Sequence, residues 1–433
     1  MPVNDIQKKL SSEKLEFVWL KRQIDTEIGE KITDLKIKGV YLRKEYKRKY
    51  PEGDSTVTIV GSTSPDGVGT QGIEAAFESE RKGKAGFRKV IKDRLGQKVE
   101  NVGKTIEPSS GKDIQLSIDS KIQFFAYQKI RDAVIEHKAV SGSVVVLDAQ
   151  TGEILASVSY PSSQAENSYE SKGAKRNIAF SDMFEPGSAI KPFTIALALE
   201  KALVQPNTII PTEAGSVVIG GKVIKDTHSY KSLTVEQVIQ KSSNIGTVKI
   251  SQDLDAKSMW EMFNHAGFGQ RPDIRFGGVT SGRLRPYKTW RPIEKATMSY
   301  GYGLSASLFQ ITKAYSIFAT DGLLVQPTLI KRTGPVPSIE VISPTTAKQI
   351  RKMLQMAASK DGTGQFAQTS GFSVGGKSGT AHKQVGNSYA VDKYRSWFVG
   401  MAPIENPRII VGVMLDEPSA GKYFGGIVAA PVF

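Results

Sequence analysis

Apolar positions along the 433-residue chain follow two rhythms, one helical and one strand-like. Residues 120–137 carry Ile122, Phe125, Ala126, Ile130 and Val134 at helical spacing, and residues 189–203 carry Ile190, Phe193, Thr194, Leu197, Ala198 and Leu203 in the same way. Both stretches are expected to be helices with a face in the core. A shorter stripe, Val235, Val238 and Ile239, follows Thr234 and Gln237, whose spacing is that of a capping box at a helix start. Five other stretches, 143–147, 153–158, 374–382, 396–401 and 408–415, are short, apolar and bounded by turn residues. They predict a five-stranded, largely antiparallel sheet. Helices before and between the strands would cover both faces, an α/β arrangement of the α+β type. Before residue 110 the pattern loosens into charge, glycine and short strand-like runs such as 55–60, and Pro108 to Lys112 reads as a boundary. The expected division is a smaller unit over 1–110 and a larger one over 111–433.

Composition is that of a globular protein, 39% hydrophobic and 23% charged, with room for two or three domains. The net charge of +15 raises the question of a nucleic-acid partner. No nucleic-acid module is recognisable, however, and the basic residues are dispersed. Where they cluster, Arg43, Lys44, Lys47, Arg48 and Lys49 interleave with Tyr41, Tyr46 and Tyr50. A solvated basic face, toward anionic lipid or cell-wall polymer, is the expectation. Cysteine is absent, which fits an oxidising compartment. No run of about 18 apolar residues is present to span a membrane, and the first ten residues are too polar for a secretion signal.

Candidate chemistry sits in three clusters. Glu185 to Lys191 reads Glu-Pro-Gly-Ser-Ala-Ile-Lys, with Ser188 at a helix mouth and Lys191 one turn on. Residues three apart on a helix are neighbours, so Lys191 is expected to reach the Ser188 hydroxyl. An ammonium with its usual pKa of about 10.4 cannot accept a proton at neutral pH, so burial or a second cation is required. Alone, S-x-x-K is better explained by a surface serine capping a helix. The second cluster, Ser242-Ser243-Asn244, is expected in a turn between helices. The third, Lys377-Ser378-Gly379-Thr380, starts a strand, and Lys377 is a candidate for the second cation.

In the order S-x-x-K, S-x-N, K-[ST]-G these clusters resemble the signature of the penicillin-binding proteins, serine acyltransferases acting on peptides that end in D-alanine. More narrowly the chain resembles a class B, division-specific (FtsI-like) peptidoglycan D,D-transpeptidase. The likeness extends to residues 45–53, Gly72-Ile73-Glu74, residues 92–96, Tyr300-Gly301-Tyr302-Gly303, Tyr423-Phe424-Gly425-Gly426 and Ala430-Pro431-Val432-Phe433. It implies the penicillin-binding transpeptidase fold with an N-terminal pedestal. Ser188 would attack the carbonyl between two D-alanines, and Lys191 would take its proton. Ser242, bridging Lys191 and Lys377, would pass a proton to the departing amine. Asn244 would hold a substrate amide, the amides of Ser188 and Thr380 would form the oxyanion hole, and Ser378, Gly379 and Thr380 would bind the terminal carboxylate. One or both of His382 and Lys383, just beyond the strand motif, would border the cleft. The resemblance implies peptidoglycan stem peptides and β-lactams as ligands, with cell-division and glycan-polymerising membrane proteins as partners. No metal, cofactor or nucleic acid is implied. An inner-membrane anchor with a periplasmic catalytic domain is also implied, the anchor and first pedestal segment being absent from this sequence.

Other readings compete. Within the same fold a D,D-carboxypeptidase or a β-lactamase would begin with the same acylation, differing in whether water or an amine removes the acyl group. No convincing deacylating carboxylate is apparent, and the N-terminal unit favours the transpeptidase. Residues 371–378 also match the phosphate-binding P-loop, G-x-x-x-x-G-K-[ST], with Asp416 in the place of a magnesium-holding acid. A P-loop must open a helix, yet residues 379–395 have no sustained helical stripe, so Asp416 is read as a strand-end acid. His137, His228, His265 and His382 have no zinc-ligand spacing.

Overall fold

The computed structural model describes residues 2–11, 17–94, 98–162, 176–386 and 388–433. Part of one segment carrying the family likeness, Leu95-Gly96, lies outside them.

Residues up to about 110 form short helices and an exposed hairpin, β1 Phe87–Lys92 against β2 Lys98–Ile106. Residues 55–60 are helical rather than extended: a 3-10 turn at Gly53–Ser55 leads into a helix at Val57–Val60. A four-residue β-branched run carries no decisive period. Packing decides, because Val57 and Ile59 are buried and Ile59 belongs to the main core.

In chain order the larger part then contains α1 Ser120–Glu136, β3 Ser141–Asp148, β4 Ile154–Tyr160, α2 Lys191–Glu200, α3 Val235–Gln240, α4 Asn244–Gln252, α5 Leu308–Ala314, α6 Pro344–Ala357, β5 Gly375–Val385, β6 Ser388–Ala402 and β7 Ile409–Asp416. The five strands make one sheet, ordered β5-β6-β7-β3-β4, and every neighbouring pair is antiparallel. Strand alternation separates two cores. Val145, Leu147, Trp397, Val399, Ile410 and Met414 join a core with residues of α2, α5 and α6. Val144, Val146, Phe398, Val411 and Val413 face the other way, onto α1 and the chain end around Ala429 and Ala430. Because both faces are covered, the strands read as continuous apolar runs, the pattern from which they were legible.

Two local expectations change. On α1 the buried side chains are Gln123, Tyr127, Ile130, Ala133 and Val134, whereas Phe125 is 60% exposed. Gln123 displaces it because its amide is consumed: Nε2 donates to the carbonyls of Ser55 (2.6 Å) and Ser157 (3.1 Å), and Oε1 accepts from Ser157 N (2.8 Å). Strand β6 begins eight residues earlier than expected, at Ser388, because it pairs with β5 as a long hairpin. The chain after Lys377 is therefore strand and hairpin, so the P-loop reading fails for want of its helix. Asp416 does end a strand, and its carboxylate takes Lys383 (2.8 Å) and Arg395 (2.9 Å).

Candidate active site

The nucleophile candidate lies in a 3-10 turn, Gly187–Ile190, that precedes α2, rather than in the α-helix itself. Pro192 explains the tightening. It has no N–H to offer the Ser188 carbonyl four residues back, so that oxygen accepts from Lys191 N, three residues on. The turn is clamped from outside: Gly187 N donates to Gly301 O (3.1 Å), and the buried Tyr315 hydroxyl donates to Ala189 O (2.9 Å).

The second cluster is a corner between α3 and α4. The Thr234–Gln237 capping box starts α3. At its other end Ser243 N bonds Val238 O and Ser242 N bonds Ile239 O, the Schellman pattern, which puts Ser242 in the left-handed region at φ 59°. A non-glycine residue there costs about 1–2 kcal/mol, so the hydroxyl is held in place against an intrinsic backbone preference. Ser243 caps α4 through Gly246 N (2.9 Å), and Asn244 is the first residue of that helix.

The third cluster lies on β5, the edge strand of the sheet. Gly379 lets this edge approach the nucleophile turn, since a Cβ there would lie 2.9 Å from Pro186 O. Ser188, Ser242, Asn244, Ser378, Gly379 and Thr380 all line one cleft of about 800 Å³. Beneath its floor, Lys191 and Lys377 are each 0% exposed.

Their amines meet at Ser242. Lys377 Nζ donates to Ser242 Oγ (2.9 Å) and to Ser378 O (2.9 Å). Lys191 Nζ contacts Ser242 Oγ (3.3 Å), Ser242 O and Asn244 Oδ1 (2.8 Å). A neutral Lys191 satisfies this set: two N–H groups donate to the carbonyl and the amide oxygen, and the lone pair faces the Ser242 hydroxyl. Burial pushes Lys191 down to about 7, against the opposing pull of Asp226. Lys377 is pushed well below its ordinary value by burial first and by Lys191 second. Desolvation therefore replaces the expected cause, in which Lys377 served as a standing cation. The expected Lys191–Ser188 hydrogen bond is also absent: among the described residues all partners of Lys191 Nζ belong to residues 242–244.

Around this centre stand groups that sequence reasoning missed. Ser378 Oγ donates to Thr363 Oγ1 (2.9 Å), adding a third hydroxyl beside Thr380. Thr380 Oγ1 accepts from Gly425 N (2.9 Å), which leaves its O–H free to donate into the cleft. Tyr394 stacks on Tyr423 (4.0 Å between ring centres), and Phe424 packs against Tyr423 (4.5 Å) along the cleft rim. Asp226 accepts from Ser243 Oγ (2.5 Å), Asn244 N (2.5 Å) and Ile245 N (3.1 Å), holding the start of α4. A lone aspartate seventeen residues before its partner leaves no local pattern. Of the two rim candidates, His382 lines the cleft, but Lys383 turns away to Asp416 and Glu417.

Two variants test this arrangement. Asp226→Asn keeps an acceptor at the helix start and removes the charge that favours a Lys191 ammonium. The neutral fraction of Lys191 grows with pH, so acylation should rise through about 7 in the parent and at lower pH in the variant. The pH dependence of acylation by a chromogenic cephalosporin measures this; an unmoved midpoint would exclude Asp226 from the titration. In Gly425→Ala the new methyl would strike the carbonyl oxygens of Trp397 and Gly379. Thermal unfolding should register a loss of about 1–3 kcal/mol, and acylation should slow as Thr380 loses its partner.

Comparison with known proteins follows the same lines. Residues 142–433 match the penicillin binding protein transpeptidase domain, and residues 2–116 match the penicillin-binding protein dimerisation domain. Over its whole length the chain is 40% identical to the probable peptidoglycan D,D-transpeptidase PenA of Neisseria meningitidis serogroup A, covering 75% of that protein. It is 34% identical to the peptidoglycan D,D-transpeptidase FtsI of Escherichia coli strain K12, again over the whole chain and 74% of that protein. The apo transpeptidase domain of Burkholderia pseudomallei penicillin-binding protein 3 superposes with a TM-score of 0.69 at 49% identity, covering 74% of this chain and 93% of the other.

Proposed function

The chain belongs to the penicillin-binding proteins with a transpeptidase domain, among the peptidoglycan D,D-transpeptidases, and from that premise we propose how its own residues divide the reaction. Ser188 Oγ attacks the carbonyl between two D-alanines while Lys191, lowered to about 7 by burial and so partly neutral at physiological pH, takes its proton. Ser242 lies between the two buried amines and returns a proton to the departing D-alanine nitrogen. The backbone amides of Ser188 and Thr380 receive the oxyanion. Such a donor is worth about a hundredfold or more in rate. Ser378 and Thr380, with Thr363 behind them, take the terminal carboxylate. Asn244 Nδ2 donates to Lys225 O (2.9 Å) and has a second hydrogen for the amide of the donor peptide.

The observation that carries this reading is the Lys191–Ser242–Lys377 chain of contacts buried under a cleft that Ser188 lines. It supplies, without a metal or a histidine, a base of about 7 beside an alcohol. Mass spectrometry after penicillin exposure tests it: one adduct on the Ser188 peptide, released slowly, is expected. An unmodified Ser188, or rapid appearance of hydrolysed drug, would overturn it.

We further propose that residues 1–110 form a non-catalytic unit ahead of a catalytic unit at 111–433. Likeness to FtsI supports a role in septal wall synthesis at the periplasmic face of the inner membrane, beside other division and glycan-polymerising proteins. Among the described residues no helix is long and apolar enough to cross a membrane.

A further inference from the structure

Between the end of α6 and the start of β5 lies an open groove of about 600 Å³ that the acylation step does not use. Gln355, Ser359, Lys360, Gln365, Phe366 and Gln368 line it, and Ser373 stands on the opposite wall. The groove meets the catalytic cleft at Gln365 and Phe366, which line both. Those two residues closely follow Thr363, the partner of the Ser378 hydroxyl, so the groove opens off the end of the cleft where the terminal carboxylate binds.

Its frame is fixed in advance. Gln365 and Phe366 sit on a 3-10 turn, Gln365–Ala367, whose third residue is 2% exposed and anchored in the core that faces α1. Gly364 N donates to Ala357 O (2.8 Å), and Gln368 Nε2 donates to Ala358 O, tying both sides of the turn to the end of α6. Across the groove the Ser373 hydroxyl accepts from Ile404 N (3.2 Å) and donates to Glu405. On this frame the Phe366 ring stands 55% exposed, and the side-chain amides of Gln355 and Gln365 make no hydrogen bond among the described residues. Lys360 is the one ionised side chain in the lining. A polyanion would find a single cation here, and an apolar ligand would strand the free amides. A sugar chain suits all of it: hydroxyl and acetamido groups pair with amides and hydroxyls, and the C–H face of a sugar ring lies on the exposed aromatic ring.

We propose that this groove binds the glycan of peptidoglycan, a chain of N-acetylated amino sugars, while stem peptide occupies the cleft. The inference rests on the transpeptidase reading above. Stem peptides hang from that chain, so polymer engaged at Ser188 brings amino sugars alongside the surface next to the cleft. The volume lies within the ordinary range for a ligand site, about 300–1,000 Å³. Holding the glycan here raises the local concentration of stem peptide at Ser188 without adding a contact to the reacting atoms.

The test reads saccharide binding with Ser188 already occupied. The protein is treated with penicillin and the adduct is confirmed by intact mass. Chitotetraose, the β-1,4-linked tetramer of N-acetylglucosamine, is then titrated while saturation transfer from protein to its acetyl protons is followed. Binding is expected, and it should be weaker for cellotetraose, which has the same backbone without acetamido groups. Phe366→Ala and Gln355→Ala should each weaken chitotetraose binding by about tenfold, the loss of roughly one good contact. Both side chains are exposed, so neither change burdens the core. Absence of saturation transfer, equal binding of cellotetraose, or unchanged affinity in both variants would overturn the inference. Binding that disappears on penicillin treatment would also overturn it, because the sugar would then lie in the cleft. Protein that forms no adduct at all is a separate result, which overturns the transpeptidase reading itself.

Discussion

Ser188→Ala is expected to abolish the penicillin adduct and to slow transpeptidation by about 10⁴-fold or more, the scale seen when a nucleophile is removed from a serine enzyme. Thermal stability should barely move. Ser188 is partly exposed, and its hydroxyl makes no hydrogen bond among the described residues, so deletion leaves no buried partner stranded. Intact-mass measurement after drug exposure, paired with a melting curve, separates chemistry from folding. A variant that still forms the adduct would place the nucleophile elsewhere.

The second large effect concerns the base. Lys191→Arg introduces a guanidinium that stays protonated at every accessible pH, so acylation should slow by about 10²–10⁴-fold. Burial at 0% exposure also makes an obligatory cation costly. Lys191→Met removes that complication, since a chain of similar length with no charge fills the same space. Acylation should fail in both variants, with only the arginine one losing substantial stability. Parent-like acylation in either would remove Lys191 from the role of base, leaving Lys377, which reaches the same hydroxyl from the other side.

Much of this was legible in the sequence, and the reasons differ by element. The five strands could be read because burial on both faces turned them into unbroken apolar runs such as Val144 to Leu147. The capping box at Thr234 could be read because its signal spans only four residues. The exact start of the nucleophile turn was not, since it depends on the hydrogen that Pro192 lacks. Phe125 misled because period alone cannot show that Gln123 would find three hydrogen bonds inside. At the site, the serine and lysine clusters carry recognisable spacing, whereas Asp226 and Thr363 act across 17 and 15 positions with no repeat to mark them. The source of the lysine's weakened basicity was misassigned for a related reason: depth below the surface belongs to the assembled molecule and has no local trace.

Ser188, Ser242 and Lys377 reach one another only when a turn, a corner between helices and a sheet edge have all assembled. The drug therefore titrates native molecules: a fluorescent penicillin should mark the fraction of a preparation that is intact, and labelling across a urea series should collapse together with the spectroscopic transition.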